Sequence, residues 1–458
     1  MKIRRLFSLF FCLVLALSLA APARAAADDV GDWEVEAKAA LLIDPDTEEI
    51  LYARNIHERL YPASLTKIMT CLLVLEAIDS KVIAMDTVLT ASEPAVTSIP
   101  PDGSTAGIQV GEELTVEELL YCIMLSSANE GCNILAEAVS GSIEAFVEKM
   151  NDKAAALKCE DTRFANTNGL PDPNHYTTAW DLYVITKEAR THPEFMPLVG
   201  TIYHEVPATN LSEARKLYTT NYLISSYRTS YYLYQGADGI KTGSTSAAGH
   251  CLVASASRSG RSLLSVVLGT ERVTLEDGTI LTKSFVETGK LFDWGFDGFT
   301  RQILLGGDEL VGEVPVTLSQ EQNTVKVHPS EEVERLLPKE MNPKTDVDRT
   351  ITLTEESVEA PVTKGQVLGQ MTLSSGDTVY AVVDLLADED VSASRLLVFR
   401  RDLVEFLQRP AVWIAAGGAV GVVVLLLVLR AVLKSRRRRY SRSGSRSGRN
   451  TGYRGRRR

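Results

Sequence analysis

The 458-residue sequence predicts an α+β fold: an antiparallel sheet with helices packed on it, followed by a small β-rich domain and a C-terminal transmembrane helix. Three observations carry that prediction. Short apolar strand patterns stand at both ends of the region 26–299, at 39–44, 50–54, 239–244, 250–256 and 263–269, with helical stretches between and after them. Strands separated in this way bury their apolar faces most simply as one antiparallel sheet covered by helices. Beyond 299 the texture shifts to short alternating segments such as Thr324-Val325-Lys326-Val327 and Arg349-Thr350-Ile351-Thr352-Leu353. Finally, 411–429 holds no charged residue and is long enough to cross a hydrocarbon core as a helix.

Taken in order, Lys2, Arg4 and Arg5 precede an apolar run over 6–20 and then Ala23-Arg24-Ala25. That is the layout of a secretory signal peptide, 1–25, cut after Ala25. The runs 39–44 and 50–54 flank Pro45-Asp46-Thr47-Glu48 and read as a hairpin. The stretch 65–78 is apolar almost all round, which marks a helix buried in a core. Thr115-Val116-Glu117-Glu118 is a capping-box signature opening a helix through 125. A loop-rich stretch follows Phe164, punctuated by Asn168-Gly169, Pro171, Pro173 and Asn174. Arg258-Ser259-Gly260 joins the last two strand patterns as a hairpin, and 280–296 reads as a helix with Leu281, Phe285 and Phe292 on one side. The β-rich domain runs over 300–387, with a turn at Lys364-Gly365. The segment 388–410 is a charged juxtamembrane linker, helical in tendency to 408. The span is 411–433, and the tail 434–458 holds only basic charges. Positive charge marks the cytoplasmic side, so the region 26–410 is expected outside the membrane.

Charge and cysteine narrow the function classes. All 59 acidic residues fall within 26–410 against 31 of the 48 basic ones, a net −28 that makes a poor nucleic-acid binder. Cys71, Cys122, Cys132, Cys159 and Cys251 remain once Cys12 leaves with the signal peptide; an odd, scattered set is not a disulfide framework. Cys71 and Cys122 lie in apolar helical stretches as small core residues. The histidines His57, His175, His192, His204, His250 and His328 are dispersed without metal-ligand spacing, so neither metal nor cofactor is expected. His175 and His250 lie near the motifs below and are read as structural hydrogen-bonding groups.

Three short motifs carry chemistry. Ser64-Leu65-Thr66-Lys67 places a hydroxyl and an amine on one helix face, a nucleophile and base that need no histidine. Alone, a Ser-x-x-Lys arises about once or twice by chance in a chain of this length. Ser127-Ala128-Asn129 is equally common, and Lys241-Thr242-Gly243 is rarer; the three in this order are hard to obtain by accident. Ser64 stands at a helix start, where free N–H groups favour developing negative charge. Lys67 serves as base only if burial or a neighbouring cation lowers its pKa, and its apolar surroundings and Lys241 both push that way. Lys241 and Thr242, on a strand edge, suit a substrate carboxylate. Gly243 leaves room for a substrate strand to approach, Ser127 is a candidate proton relay, and Asn129 is a hydrogen-bond anchor.

The stretches Tyr61-Pro62-Ala63-Ser64-Leu65-Thr66-Lys67-Ile68-Met69-Thr70, Asp238-Gly239-Ile240-Lys241-Thr242-Gly243 and Asn168-Gly169-Leu170-Pro171-Asp172-Pro173-Asn174-His175-Tyr176 resemble the serine-type D-alanyl-D-alanine carboxypeptidases, the low-molecular-mass penicillin-binding proteins. The likeness covers about 34–299 and extends more weakly through Ala360-Pro361-Val362-Thr363-Lys364-Gly365-Gln366. It implies a penicillin-binding/β-lactamase-like catalytic domain over 26–299. Ser64 would then be the acylated nucleophile, Lys67 its base and Ser127 the relay; Asn129, Lys241, Thr242, Gly243 and Ser244 would bind substrate. The backbone N–H groups of Ser64 and Ser244 would form the oxyanion hole. The implied substrate is a peptidoglycan stem peptide ending in D-Ala-D-Ala, and penicillins would acylate Ser64 as mimics.

Two features depart from the family pattern: Ala128 stands where glycine is commoner, and a membrane span replaces the surface helix on which many relatives end. A serine β-lactamase shares the three motifs, but fast deacylation there commonly needs an extra base. The loop after Phe164 offers Asn166, Asn168 and Asp172 and no glutamate before Glu188. A catalytically silent penicillin-sensing or wall-binding module is the third reading, against which all motif side chains are present.

Overall fold

A computed structural model describes residues 34–440, residue 377 excepted, with side chains through residue 435. The expected signal peptide, Cys12, and the tail beyond residue 440 lie outside the described residues. The chain divides into two units. One holds the chain to Leu305 with Glu332–Arg349 and Thr372–Ala381; the other holds Gly306–Glu331, Thr350–Met371 and the chain from Val382.

The first unit is built on five strands: β1 (Ala39–Asp44), β2 (Glu49–Arg54), β3 (Ala237–Thr245), β4 (Gly249–Arg258) and β5 (Arg261–Thr270). They form one antiparallel sheet in the order β2-β1-β5-β4-β3. The β1–β2 hairpin closes because Asp44 Oδ1 accepts from the N–H groups of Asp46 (2.9 Å) and Thr47 (3.2 Å), an Asx turn. Every β1 residue is buried, since the sheet is covered on both faces. Leu41 and Ile43 enter one core cluster with Leu264 and Val266, while Ala40 and Leu42 enter the other with Leu263 and Val267. The strand period of two sends alternate residues to opposite faces.

Helix α1 (Lys67–Asp79) fills the first cluster, buried at every residue from Lys67 to Leu75, which is why its sequence shows no polar face. Ahead of it the predicted helix is instead a 3-10 turn, Ala63–Thr66, closed by Thr66 Oγ1 donating to the Ala63 carbonyl at 2.9 Å. Helix α2 (Val116–Met124) starts where Thr115 Oγ1 accepts from Glu118 N at 3.2 Å. It is followed by α3 (Asn129–Ser140), which ends on Gly141 in the left-handed conformation at φ 81°.

The opposite face is covered by α4 (Lys283–Gly298), with Phe285, Leu291, Phe292 and Phe296 in the second cluster. Its predicted start at 280 is corrected. Ile280–Thr282 is a short strand paired with Arg272–Thr274, so Leu281 belongs to a hairpin rather than to the helix. The turn at Gly278 (φ 80°), where Thr279 N donates to Asp277 Oδ1, makes that pairing the nearer solution.

Beyond Leu305 a six-stranded sheet runs Asp348–Leu353, Val367–Ser375, Thr378–Ala387, Thr324–Pro329, Gly312–Thr317 and Val358–Glu359. The helical tendency over 388–408 is realised only from Arg395 to Gln408, capped by Ser394. Val391 exchanges backbone hydrogen bonds with Val362, which holds the preceding residues extended. Among the described residues one helix, Pro410–Ser435, is long and apolar enough to cross a membrane, at mean hydropathy 2.7 over its most apolar window. Cys71, Cys122, Cys132, Cys159 and Cys251 are free and buried.

Candidate active site

The Ser64 turn is held from two sides. Ala63, just before Ser64, sits at φ 49°, a left-handed conformation that costs a non-glycine residue on the order of 1–2 kcal/mol. Its neighbours keep it there. A Cβ on Gly169 (φ 91°) would lie 1.8 Å from the Ala63 carbonyl oxygen, so the 164–176 loop rests directly on the turn. From the same loop His175 Nε2 lies 2.8 Å from Thr66 Oγ1, and His175 Nδ1 accepts from Ala165 N at 3.2 Å. Nδ1 can accept only if it is unprotonated, so Nε2 carries the hydrogen and donates to Thr66. Burial pushes His175 down to about 4, keeping it neutral and structural.

From the sheet side, a Cβ on Gly243 would stand 2.9 Å from the Pro62 carbonyl oxygen and 3.2 Å from Ser64 N. The protein's own backbone thus makes a close approach at Gly243. The edge strand β3 packs against the nucleophile turn, which brings Ser244, the next residue, to its border.

Lys67 Nζ lies 3.0 Å from Ser64 Oγ, 2.7 Å from Asn129 Oδ1 and 2.7 Å from the Asn168 carbonyl oxygen. Two of these three partners can only accept. A neutral amine satisfies both with its two hydrogens and turns its lone pair to the third, the one partner with a proton to give. Lys67 is fully buried, and burial lowers it to about 8. At pH 7.5 about a quarter would be neutral, against about one in a thousand for an ordinary lysine. Lys241, 1% exposed, is lowered to about 7 by burial first and by the Lys67 charge second. The expected help from Lys241 to Lys67 is thus felt on the Lys241 side, while burial is what lowers Lys67.

The sequence motifs meet unevenly. Ser64, Lys67 and Asn129 share one hydrogen-bonded cluster, and Gly243 touches it through the backbone. Lys241 Nζ donates to the Thr242 carbonyl at 3.1 Å, and Thr242 Oγ1 is 2.6 Å from Thr220 Oγ1. Ser127 lies between α2 and α3 at φ 64°, with its Oγ buried and without a hydrogen-bond partner. His250 is half-buried on β4, opposite Ser244, and burial lowers its pKa.

Several contributors escape the sequence reading. The Asn168 carbonyl is a main-chain group and leaves no side-chain signature. Thr70 Oγ1 donates to the Thr167 carbonyl at 2.5 Å and Thr167 Oγ1 to Asn133 Oδ1 at 2.6 Å, tying α1 and α3 through the loop. Glu130, 2% exposed, accepts from Thr105 Oγ1 (2.6 Å) and Ala106 N (2.7 Å), pinning the loop whose Ser104 carbonyl caps Asn129 N. Thr220 is another; only its place before the Lys-Thr-Gly strand hints at it.

A family model described as D-alanyl-D-alanine carboxypeptidase matches residues 23–272, and one described as penicillin-binding protein 5, C-terminal domain, matches 299–393. The chain is 33% identical to the D-alanyl-D-alanine carboxypeptidase DacF of Bacillus subtilis, covering 86% of this chain and 97% of that protein. It is 30% identical to DacC of Escherichia coli, a protein of the same description, covering 77% and 84%. Among solved structures, penicillin binding protein 5 from Haemophilus influenzae superposes with a TM-score of 0.60 at 30% identity, covering 79% of this chain and 99% of that one.

Proposed function

This chain belongs to the D-alanyl-D-alanine carboxypeptidase family, and from that premise we propose that Ser64 is its acylated nucleophile and Lys67 the base. The enzyme is a serine peptidase that removes the terminal D-alanine from peptidoglycan stem peptides. The observation that carries the residue assignment is the Lys67 environment, where two obligate acceptors leave only Ser64 as a proton source.

The chemistry runs in two halves. Ser64 Oγ attacks the carbonyl between the two D-alanines and its proton passes to Lys67 Nζ. The oxyanion is held by the backbone N–H groups of Ser64 and Ser244. Collapse breaks the C–N bond, and the leaving amine takes a proton from Lys67 through the Ser127 hydroxyl. D-Alanine departs, leaving an ester on Ser64. Water then attacks that ester, giving its proton to Lys67; collapse breaks the bond from the acyl carbon to Ser64 Oγ, Lys67 returns the proton to Oγ, and the shortened peptide leaves with a free carboxyl group. Asn129 fixes Lys67, while Lys241 and Thr242 bind the terminal carboxylate and Gly243 lets β3 close on the turn. In a β-lactam the leaving nitrogen stays tethered, so the same attack yields a long-lived adduct.

The domain limits follow the same reading: a signal peptide over 1–25, a catalytic part over 26–299, a β-rich part over 300–387, a linker to 410 and a span over 411–433. The catalytic part then lies outside the membrane and the basic tail inside. Incubating the protein with penicillin and weighing it by mass spectrometry tests the centre of the proposal. One added penicilloyl group on the Ser64 peptide, with release of D-alanine from a D-Ala-D-Ala peptide, is expected. Rapid penicillin turnover without D-alanine release would overturn it in favour of a β-lactamase.

A further inference from the structure

Seven of the 15 tyrosines lie between 203 and 234, and six of them separate into two groups of three. Tyr222, Tyr232 and Tyr234 pack on the core through Phe285 and Phe292. Tyr203, Tyr218 and Tyr227 do not. Tyr203 and Tyr218 face each other across a two-stranded hairpin, Tyr203–Val206 with Arg215–Tyr218, their ring centroids 5.1 Å apart. Tyr227 then lies flat on Tyr218, centroids 3.6 Å apart and planes within 10°. The outer members stay open: Tyr227 is 56% exposed and Tyr203 41%.

This three-ring cluster, with Tyr227 stacked on Tyr218 and Tyr203 tilted by 50° to Tyr218, is anchored to the site. Two residues after Tyr218, Thr220 bonds to the Thr242 hydroxyl, and two extended residues reach about 7 Å. A cluster of open aromatic faces beside a polymer-processing cleft is unusual on a protein surface without a partner. Tyrosines combine a flat apolar face with a hydroxyl and few rotatable bonds, so they bind at low entropic cost. The polymer on which the family acts carries, besides peptide, pyranose rings whose axial C–H faces match such a cluster. Their hydroxyl and acetamido edges would meet Glu205, which already accepts from Tyr203 at 2.6 Å.

We propose that Tyr203, Tyr218 and Tyr227 form a subsite for pyranose rings of the peptidoglycan glycan strand, next to the Thr242 end of the catalytic cleft. The subsite rests on the carboxypeptidase reading of Ser64 and adds to it a grip on sugar, so that the wall polymer is engaged by more than its peptide.

The full chain in detergent is assayed on two substrates with the same D-Ala-D-Ala peptide, one free and one carried on its N-acetyl disaccharide. Tyr227→Ala is expected to raise KM about tenfold on the sugar-bearing substrate, with less than about a twofold change on the free peptide. Tyr227→Phe should retain wild-type values, and Tyr231→Ala, an exposed tyrosine outside the cluster, should change neither. Equal KM changes on both substrates, or none, would overturn the subsite. A titration with a β-1,4-linked N-acetylglucosamine oligomer, read by tyrosine fluorescence in wild type and Tyr227→Ala, decides it separately. Saturable quenching only in wild type supports the subsite, and identical responses reject it. If wild type releases D-alanine from neither substrate, the Ser64 reading fails while the titration still decides the cluster.

Discussion

A methyl group on Gly243 would stand 3.2 Å from the backbone nitrogen of Ser64 and 2.9 Å from the Pro62 carbonyl oxygen. The edge strand and the nucleophile turn are therefore in backbone contact, and the third motif's glycine is an internal spacing device. Gly243→Ala must push β3 away by several tenths of an ångström, and Ser244 moves with it. If the N–H groups of Ser64 and Ser244 form the oxyanion hole, loss of one aligned donor costs about 10²–10³ in rate. Gly243→Ala is expected to slow penicillin acylation about 10–100-fold, with a melting point within a few degrees of wild type. Acylation at the wild-type rate would show the approach to be slack.

The Lys67 environment makes a pH prediction with a definite sign. Only neutral Lys67 accepts the Ser64 proton, so the acylation rate should rise with pH through an apparent pKa near 8 and level off above it. Lys67→Met should lower acylation by a factor on the order of 10³ or more. The same shift enters stability. An unfolded lysine titrates near 10.5 and the folded one near 8, so between these values the unfolded chain holds more protons and stability increases with pH. Denaturant midpoints at pH 7.5 and 9.5 should therefore separate by more in wild type than in Lys67→Met. Parallel shifts would place Lys67 in a wetter setting than its burial indicates.

Much of this site is legible in the sequence because its side chains sit in short local patterns. Ser64 and Lys67 are one turn apart, and Lys241 to Gly243 lie on a strand whose alternation is visible. The five sheet strands likewise show themselves through apolar runs that end within two residues of the observed limits. The parts that stay hidden depend on long-range geometry. The Asn168 carbonyl reaches Lys67 across 101 residues, and any residue type could supply it. Thr220 pairs with Thr242 through a loop that no periodicity describes. The 280–282 segment reads as helix although it is a strand, because a three-residue strand and a helical turn carry the same apolar signal. Gly243 reads as permissive of a close approach, and only the fold shows that the protein's own backbone makes one.

His175 couples the 164–176 loop to the nucleophile turn through Thr66, and its neutrality has a measurable cost. The unfolded imidazole takes up a proton near 6.5, while burial holds the folded one down to about 4. Between these values the unfolded state binds more protons, so stability is lost as pH falls from 6.5 toward 4. His175→Gln removes that loss and leaves Thr66 or Ala165 poorly partnered, at about 1–3 kcal/mol at pH 7. Denaturant midpoints at pH 7 and pH 5 should fall apart for wild type and stay closer for the variant. An NMR titration showing His175 protonating near 6.5 would remove the basis of this prediction.

Ser127 separates folding from function more sharply than any other residue of the site. Its hydroxyl is buried without a partner and its backbone is left-handed at φ 64°, so the folded state is stabilised by neither feature. An unsatisfied buried hydroxyl costs about 1–3 kcal/mol, part of which returns when it is replaced by a methyl group. Ser127→Ala should therefore match or exceed wild type in thermal stability, by up to about 1 kcal/mol. Glycine at 127 should gain further, because a left-handed φ is free of strain without a Cβ. If the hydroxyl relays the proton to the leaving amine, both variants should lose about 10²–10⁴ in D-alanine release, the usual scale for a positioned proton-transfer group. A stable Ser127→Ala protein with near-wild-type turnover would remove Ser127 from the proton route and leave Lys67 to protonate the amine directly.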